Sequence, residues 1–255
     1  MKVIDAHIHL DSYETKQRDE ILISLKENEV EALISVSMDL ASCKKNLDFQ
    51  LQSRQVFTAF GFHPEQEITS EEETQALLKW IREHHDQMIA IGEVGLPYYR
   101  NQEQTLDYRP YIELLEKFIK LAYELSKPIV LHAVYEDADI VCCLLEKYNI
   151  KKAHFHWFKG NKHTIKRMIE NGYYISITPD VLYEDEIQEL VKHYPINLMM
   201  VETDGPWPFE GPFNGDYTHP RFIHESVRKI AEIKELELEE VYKCFYENTK
   251  EFYGL

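Results

Sequence analysis

Short apolar runs rich in β-branched residues alternate with longer amphipathic stretches along the whole chain. The runs predict eight β-strands, at Val3–Asp5, Ala32–Val36, Thr58–Phe62, Ile89–Gly92, Ile129–Leu131, Ala153–Phe155, Tyr173–Ile177 and Leu198–Val201. The stretches predict helices at Arg18–Asn28, Cys43–Gln52, Glu71–His84, Tyr108–Leu125, Asp137–Tyr148, Lys162–Glu170, Glu184–His193, Ile223–Glu232 and Leu238–Glu247. Apolar strands that each precede a helix indicate a parallel sheet buried on both faces.

Eight such βα units closing on themselves give a (β/α)8 barrel, for which about 250 residues is a common domain length. The chain has 255 residues, so we expect one barrel domain spanning 1–255. An open doubly wound sheet is the alternative, but it is expected to carry a glycine-rich phosphate loop after its first strand. Here that strand runs into Asp5-Ala6-His7-Ile8-His9. We therefore predict an α/β TIM barrel, with its chemistry at the carboxyl ends of the strands.

Five predicted strands end in residue types that bind metal ions. These segments are His7-Ile8-His9, Ile91-Gly92-Glu93, Leu131-His132, His154-Phe155-His156 and Glu202-Thr203-Asp204. Residues two apart on a strand point to the same side, so His7 and His9 both face the barrel mouth. Imidazole and carboxylate together suit zinc, manganese, iron or nickel, with magnesium less natural for so much histidine. One strand-end histidine is usually a core or rim residue, but five converging strand ends predict a metal centre.

The charge of the chain limits its partners. Lys and Arg total 28 against 45 Asp and Glu, for a net charge of −17. A surface this negative disfavours an extended basic face for nucleic acid, although cations in a cleft attract phosphate locally. No apolar run approaches the ~20 residues that span a membrane. The amino terminus lacks a basic segment leading into a long apolar stretch, so we expect a cytoplasmic protein.

The chain resembles the TatD family of metal-dependent deoxyribonucleases, within the amidohydrolase superfamily, over essentially its full length. Six motifs carry the resemblance: Asp5-Ala6-His7-Ile8-His9-Leu10, Gly61-Phe62-His63-Pro64, Gly92-Glu93-Val94-Gly95-Leu96, Pro128-Ile129-Val130-Leu131-His132, His156-Trp157-Phe158-Lys159-Gly160 and Glu202-Thr203-Asp204-Gly205-Pro206. The resemblance implies two divalent metal ions (Zn, Mn, Mg, Ni or Fe). The implied ligands are His7, His9 and Asp204 for the first ion, His132 and His156 for the second, and Glu93 bridging them. It also implies hydrolysis of DNA phosphodiesters, in several members from a 3′ end.

Elementary chemistry agrees with this assignment. Two cations ~3.5–4 Å apart bind a phosphate and activate water near neutral pH, and a carboxylate must then take the proton. Asp204, at the end of strand eight, is placed to do so. Glu202 shares its inward face and is predicted either to assist as a base or to orient a ligand. His63, at the end of strand three, is interpreted as a donor to developing phosphate charge or to a nearby carboxylate.

Substrate contacts are predicted on the loops that follow the ligands. Tyr99 and Arg100 follow Glu93, and tyrosine stacks on bases while arginine forks onto phosphate. Trp157 and Trp207 flank two ligand loops and are predicted to contact the substrate in the same way. For each of these aromatic residues, packing of the barrel rim is the alternative interpretation.

Two positions depart from the family pattern. Pro97 stands where aspartate is usual, and Val134 stands where arginine is usual. Both changes remove polar groups near the substrate and leave the implied ligands intact. The leading prediction is a metal-dependent phosphodiesterase acting on DNA ends, and its alternative is a hydrolase of small esters, amides or lactones. A barrel that binds metal or a partner without turnover is a third possibility, and a deaminase is disfavoured because Glu93 favours two metals.

Overall fold

Eight strands form one parallel sheet whose order in space is the order in the chain. A computed structural model describes residues 1–255. The strands are β1 Val3–Ile8, β2 Val30–Ser35, β3 Val56–Phe60, β4 Ala90–Gly95, β5 Ile129–His132, β6 Ala153–Phe155, β7 Tyr174–Ile177 and β8 Met199–Val201. The helices are α1 Thr15–Ser24, α2 Leu40–Gln52, α3 Glu71–Glu83, α4 Tyr98–Glu103, α5 Arg109–Leu125, α6 Glu136–Lys147, α7 Lys162–Asn171, α8 Asp185–His193, α9 Ile223–Lys234 and α10 Leu238–Tyr253.

The first and last strands meet just beyond the end of β8. The backbone N–H of Asp204 donates to the carbonyl of His7 at 2.9 Å, and the N–H of His9 donates to the carbonyl of Gly205 at 2.8 Å. These bonds join the two edges of the sheet, so the predicted (β/α)8 barrel is confirmed and the open doubly wound sheet is excluded. They also bring residues from both ends of the chain to the barrel mouth.

Two apolar layers stabilise the barrel. The larger cluster packs the strands against the surrounding helices and includes Phe118, Phe155 and Phe245. The smaller cluster joins strand residues such as Ala32 with Phe252 and Tyr253 at the end of α10. Because its buried members come from the strands, from Val36 directly after β2 and from the end of α10, we assign this cluster to the barrel interior.

Several element ends differ from the predictions. α10 continues to Tyr253 instead of stopping at Glu247, because Phe252 and Tyr253 in its last turn pack into the smaller apolar cluster. β1 continues to Ile8, and α4 was not predicted at all. The Ser70 side chain and Glu73 form a capping box that begins α3. None of the helices is long and apolar enough to cross a membrane.

Candidate metal centre

Four buried side chains at the barrel mouth point one atom each at a common space. His7 Nε2 lies 3.2 Å from both Glu93 Oε2 and Asp204 Oδ1. His9 Nε2 lies 3.2 Å from Glu93 Oε2 and 3.4 Å from Asp204 Oδ1. The two Nε2 atoms are themselves 3.4 Å apart. β1, β4 and the end of β8 thus bring together the residues predicted for the first metal.

These separations suit a cation at the centre of the four atoms. Bonds of about 2.0–2.2 Å in a tetrahedral zinc site place neighbouring ligand atoms about 3.3–3.6 Å apart. The observed values of 3.2–3.4 Å fall at or close to that range. Glu93 Oε2 and Asp204 Oδ1 are buried and have no hydrogen-bond partner, which is costly for carboxylate oxygens. A bound divalent cation would satisfy both oxygens, so the residues fit the metal that the sequence predicts.

A second group of ligand types shares Glu93. Its other oxygen, Oε1, lies 3.0 Å from His132 Nδ1 and 2.5 Å from His156 Nε2. Those two ring nitrogens are 3.1 Å apart. Glu93 therefore faces two adjacent groups of imidazole nitrogens, one with each oxygen, as a bridging ligand must.

His63 and Glu65 border this second group. His63 Nε2 is 3.5 Å from Glu93 Oε1, and His63 Nδ1 accepts the backbone N–H of Glu65. A neutral His63 then carries its proton on Nε2, directed at the cluster. The Glu65 carboxylate lies 3.2 Å from His132 Nε2. Sequence reasoning missed Glu65, and its one signal is its position two residues after His63.

The electrostatics of the centre are dominated by burial and by opposite charge. Burial raises the pKa of Glu93, but electrostatic attraction to the imidazoles of His156, His63 and His7 outweighs it and holds the pKa well below its usual range. Burial lowers the pKa of His9, yet the carboxylates of Asp204 and Glu93, 3.4 and 3.2 Å from its Nε2, raise the pKa overall to about 9. A divalent cation would displace the imidazole protons and balance the negative charge of the carboxylates in their place.

Both carboxylate oxygens of Glu202 are engaged in hydrogen bonds. Its Oε1 accepts the backbone N–H of Trp157 at 2.8 Å, and its Oε2 accepts the hydroxyl of Ser176 at 2.5 Å. His154 Nε2 lies 2.5 Å from the same hydroxyl. Burial raises the pKa of Glu202 to about 8. With both oxygens occupied, Glu202 has the contacts of an orienting carboxylate rather than of a free base.

Two glycines allow the ligand strands to approach closely. A Cβ on Gly95 would lie 1.9 Å from the carbonyl oxygen of His132. A Cβ on Gly61 would lie 2.6 Å from the carbonyl oxygen of Glu93. A side chain at either position would push β3, β4 and β5 apart and separate the ligands.

Known proteins identify the family of this barrel. The family model described as TatD related DNase matches residues 4–254. An uncharacterized metal-dependent hydrolase of Haemophilus influenzae is 40% identical over 255 residues, covering 99% of this chain and all of the relative. The chain belongs to the TatD family. The predictions of this family and of a hydrolytic enzyme are thereby confirmed.

Two further TatD proteins are similar over nearly their full lengths. Deoxyribonuclease TATDN3 of Homo sapiens is 28% identical, covering 97% of this chain and 93% of the human protein. The crystal structure of YjjV, a TatD homologue from Escherichia coli K12, superposes with a TM-score of 0.90 at 21% identity. It covers 99% of this chain and 98% of the other, which again shows the barrel fold.

The predicted substrate contacts of this TatD barrel lie at different places. The Tyr99 ring is 46% exposed, with its centroid 6.0 Å from that of His132. The Arg100 guanidinium instead donates to the Tyr111 hydroxyl at 2.9 Å, because the first turn of α4 directs it towards α5. Arg100 is therefore not brought to the metal cluster, whereas Tyr99 stands beside it.

The two tryptophans also differ from each other. Trp157 is half-buried, and its indole N–H donates to Asp180 at 2.6 Å. Its ring packs on Phe209, with 5.6 Å between centroids. Trp207 is 47% exposed and free to meet a substrate. The contacts of Trp157 match rim packing, and those of Trp207 leave it as the candidate for stacking.

Proposed function

We propose that this TatD protein is a divalent-metal-dependent phosphodiesterase that hydrolyses DNA from its ends. The observation that supports this most is the position of Glu93, each of whose oxygens meets its own pair of imidazole nitrogens. A carboxylate shared in this way suits two adjacent metal ions, the arrangement that serves phosphodiester cleavage. The deoxyribonuclease name of the human relative agrees with this substrate.

The ligand assignment follows from which atoms share each space. His7, His9 and Asp204 would hold one ion and His132 and His156 the other, with Glu93 bridging them. When bound, two divalent cations supply Lewis-acid polarisation of a phosphoryl oxygen and lower the pKa of water. The donor set, four imidazoles and two carboxylates, favours zinc, manganese, iron or nickel over magnesium.

The remaining chemistry falls to side chains around the cluster. Asp204 takes the proton of the attacking water, because Oδ1 is the oxygen that lies among the ligand atoms, which leaves Oδ2 to accept the proton. His63 donates its Nε2–H to negative charge that develops on the phosphate, because its Nδ1 is already an acceptor. Glu202 orients the backbone at Trp157, next to the ligand His156.

Digestion of end-labelled DNA tests the proposed activity. Metal-reconstituted protein is incubated with single-stranded and duplex DNA labelled at either end, together with dinucleotide esters. We expect stepwise shortening from one end, which requires added metal. His163→Ala, at an exposed histidine of α7, should shorten the DNA as the wild type does, whereas Glu93→Ala should not. Intact DNA and intact nucleotide esters in the presence of bound metal would refute the proposal.

One observation favours a second candidate, a hydrolase of small esters, amides or lactones. The rim residue Tyr98 lies near three acidic side chains. Burial raises the pKa of its hydroxyl, and the negative charges of Glu136, Asp137 and Glu186 raise the pKa further. An acidic rim repels a long phosphate backbone but admits a small substrate. A screen of carboxyl esters and lactones beside DNA separates the two candidates by their relative kcat/KM.

Metal binding is expected to stabilise the folded protein strongly. A ligand at about 100 times its Kd adds about 2.7 kcal/mol to the free energy of unfolding, or roughly 5–10 °C in Tm at this chain length. Thermal denaturation with zinc or manganese, and again after chelation, measures the shift. The same scan of His132→Ala should show a smaller shift, and an unchanged Tm on metal addition would contradict the assigned centre.

Arg100→Ala is expected to change kcat/KM for DNA by less than about fivefold, because losing one hydrogen bond away from the cluster costs about 1 kcal/mol or less. Its guanidinium contacts Tyr111 and not the metal cluster. Steady-state kinetics at two salt concentrations check this expectation. A drop of more than tenfold at unchanged Tm would show that Arg100 turns towards the substrate.

A further inference from the structure

His132 differs from the other imidazoles of the centre in the way its ring is turned. His7, His9 and His156 each face the cluster with Nε2, and their Nδ1 atoms have no hydrogen-bond partner. His132 faces Glu93 with Nδ1. Its Nε2 lies 3.2 Å from Glu65 Oε1, so it is the one of the four whose outer nitrogen lies within hydrogen-bond distance of a carboxylate; the outer nitrogen of His156 is 3.8 Å from Glu202.

The same carboxylate also holds the start of α4. Glu65 Oε1 accepts the backbone N–H of Tyr99, and Oε2 accepts that of Arg100, each at 2.8 Å. Pro97, at the N-cap position of this helix, provides no side-chain acceptor. The Glu65 side chain is only 14% exposed, so these contacts are formed largely away from solvent. One carboxylate thus bonds both to a metal-ligand candidate and to the helix that carries Tyr99.

We propose that Glu65 is a positioning residue that selects Nδ1 of His132 as the ligand atom and couples metal binding there to order in α4. A neutral imidazole that donates its Nε2–H to a carboxylate keeps the lone pair of Nδ1 free for a metal ion. Glu65 is the hydrogen-bond partner of His132 Nε2, so without it no acceptor holds the proton on that nitrogen. This role rests on the proposed metal centre and not on the identity of the ester that is cleaved.

The coupling has a defined direction. A metal ion on Nδ1 makes the Nε2–H a stronger donor, which tightens the bond to Glu65 Oε1. Glu65 is then held more firmly against the N–H groups of Tyr99 and Arg100. Filling the His132–His156 half of the centre therefore orders the rim helix, and disorder of that helix weakens metal binding by the same factor.

Glu65→Gln and Glu65→Ala test the proposal, with Glu67→Gln as the matched control. Glu67 is two residues away and its side chain is 93% exposed, so its 4.0 Å ion pair with Arg100 is screened by solvent and contributes little. Zinc is titrated against a chromophoric chelator to give the number and affinity of bound ions. We expect two ions in the wild type and in the control. In Glu65→Gln one ion should bind normally and the other ~10–100-fold more weakly, the usual effect of losing such a partner.

Two further readouts separate positioning from general stability. Ring ¹⁵N NMR of the zinc-loaded wild type should show His132 with its proton on Nε2, a signature absent in Glu65→Ala and weaker in Glu65→Gln, whose amide oxygen accepts without a charge. Zinc should slow tryptic cleavage after Arg100 in the wild type and in Glu67→Gln, but not in Glu65→Gln. If Glu65→Ala does not fold, the nearly isosteric glutamine variant decides.

Normal affinity for both ions in a folded Glu65→Gln protein would overturn the proposal, as would zinc protection of Arg100 in that variant. The outcome is independent of the proposed activity. A wild type that binds zinc as expected but cleaves no DNA would refute the nuclease and leave the role of Glu65 supported.

Discussion

Glu93→Gln is expected to lower kcat/KM for the cleaved ester by ~10³-fold or more, the equivalent of the several kcal/mol that metal ions contribute to a transition state. One Glu93 oxygen is 3.2 Å from His7 and His9, and the other is 3.0 Å or less from His132 and His156. A glutamine side chain would turn an NH2 group towards one of these pairs. That group repels a cation, so at least half of the centre is expected to empty.

Two measurements on one preparation check this result. Metal content after dialysis should fall by at least one ion per chain, and the rate of substrate cleavage should fall with it. Glu83→Gln, an exposed carboxylate at the end of α3, is the control and should match the wild type in both. A variant that keeps its full metal content and most of its activity would show that Glu93 is not a ligand.

Most of the site residues that the sequence could predict lie at the ends of strands. His7, His9, Glu93 and His132 each stand where an apolar run stops, so a barrel topology was enough to bring them together. Closure of the sheet then placed Asp204 beside His7, through the backbone bond between them. The periodic apolar pattern is a strong signal because it repeats in all eight units.

Features fixed by single tertiary contacts left no such signal. Glu65 is a polar residue in a loop, and its partner His132 lies 67 positions later. α4 has six residues and no buried one, so no apolar period marks it. The orientation of Arg100 depends on where the Tyr111 hydroxyl lies, which only the packed structure gives. Residues of these kinds have to be found by geometry.

Asp204→Asn is expected to lower kcat by ~10²–10⁴-fold, the range for loss of a general base. The backbone of Asp204 has φ +48°, a left-handed conformation that asparagine tolerates nearly as well as aspartate. The fold should therefore survive the change. Asp216→Asn, at an exposed aspartate that pairs with Arg221, is the matched control.

The dependence of kcat on metal concentration in Asp204→Asn separates the two roles of Asp204, as metal ligand and as proton acceptor. Burial raises the pKa of its carboxyl, but the imidazoles of His7 and His9, 3.2 and 3.4 Å from Oδ1, outweigh it and hold the pKa below the ordinary value, so the group is ionised at neutral pH. If Asp204 acts only as a ligand, excess metal should restore the rate of Asp204→Asn, since His7, His9 and Glu93 remain. If it also accepts the proton of water, saturating metal should refill the site while kcat stays low. We expect the second result, because the amide cannot take a proton at any metal concentration.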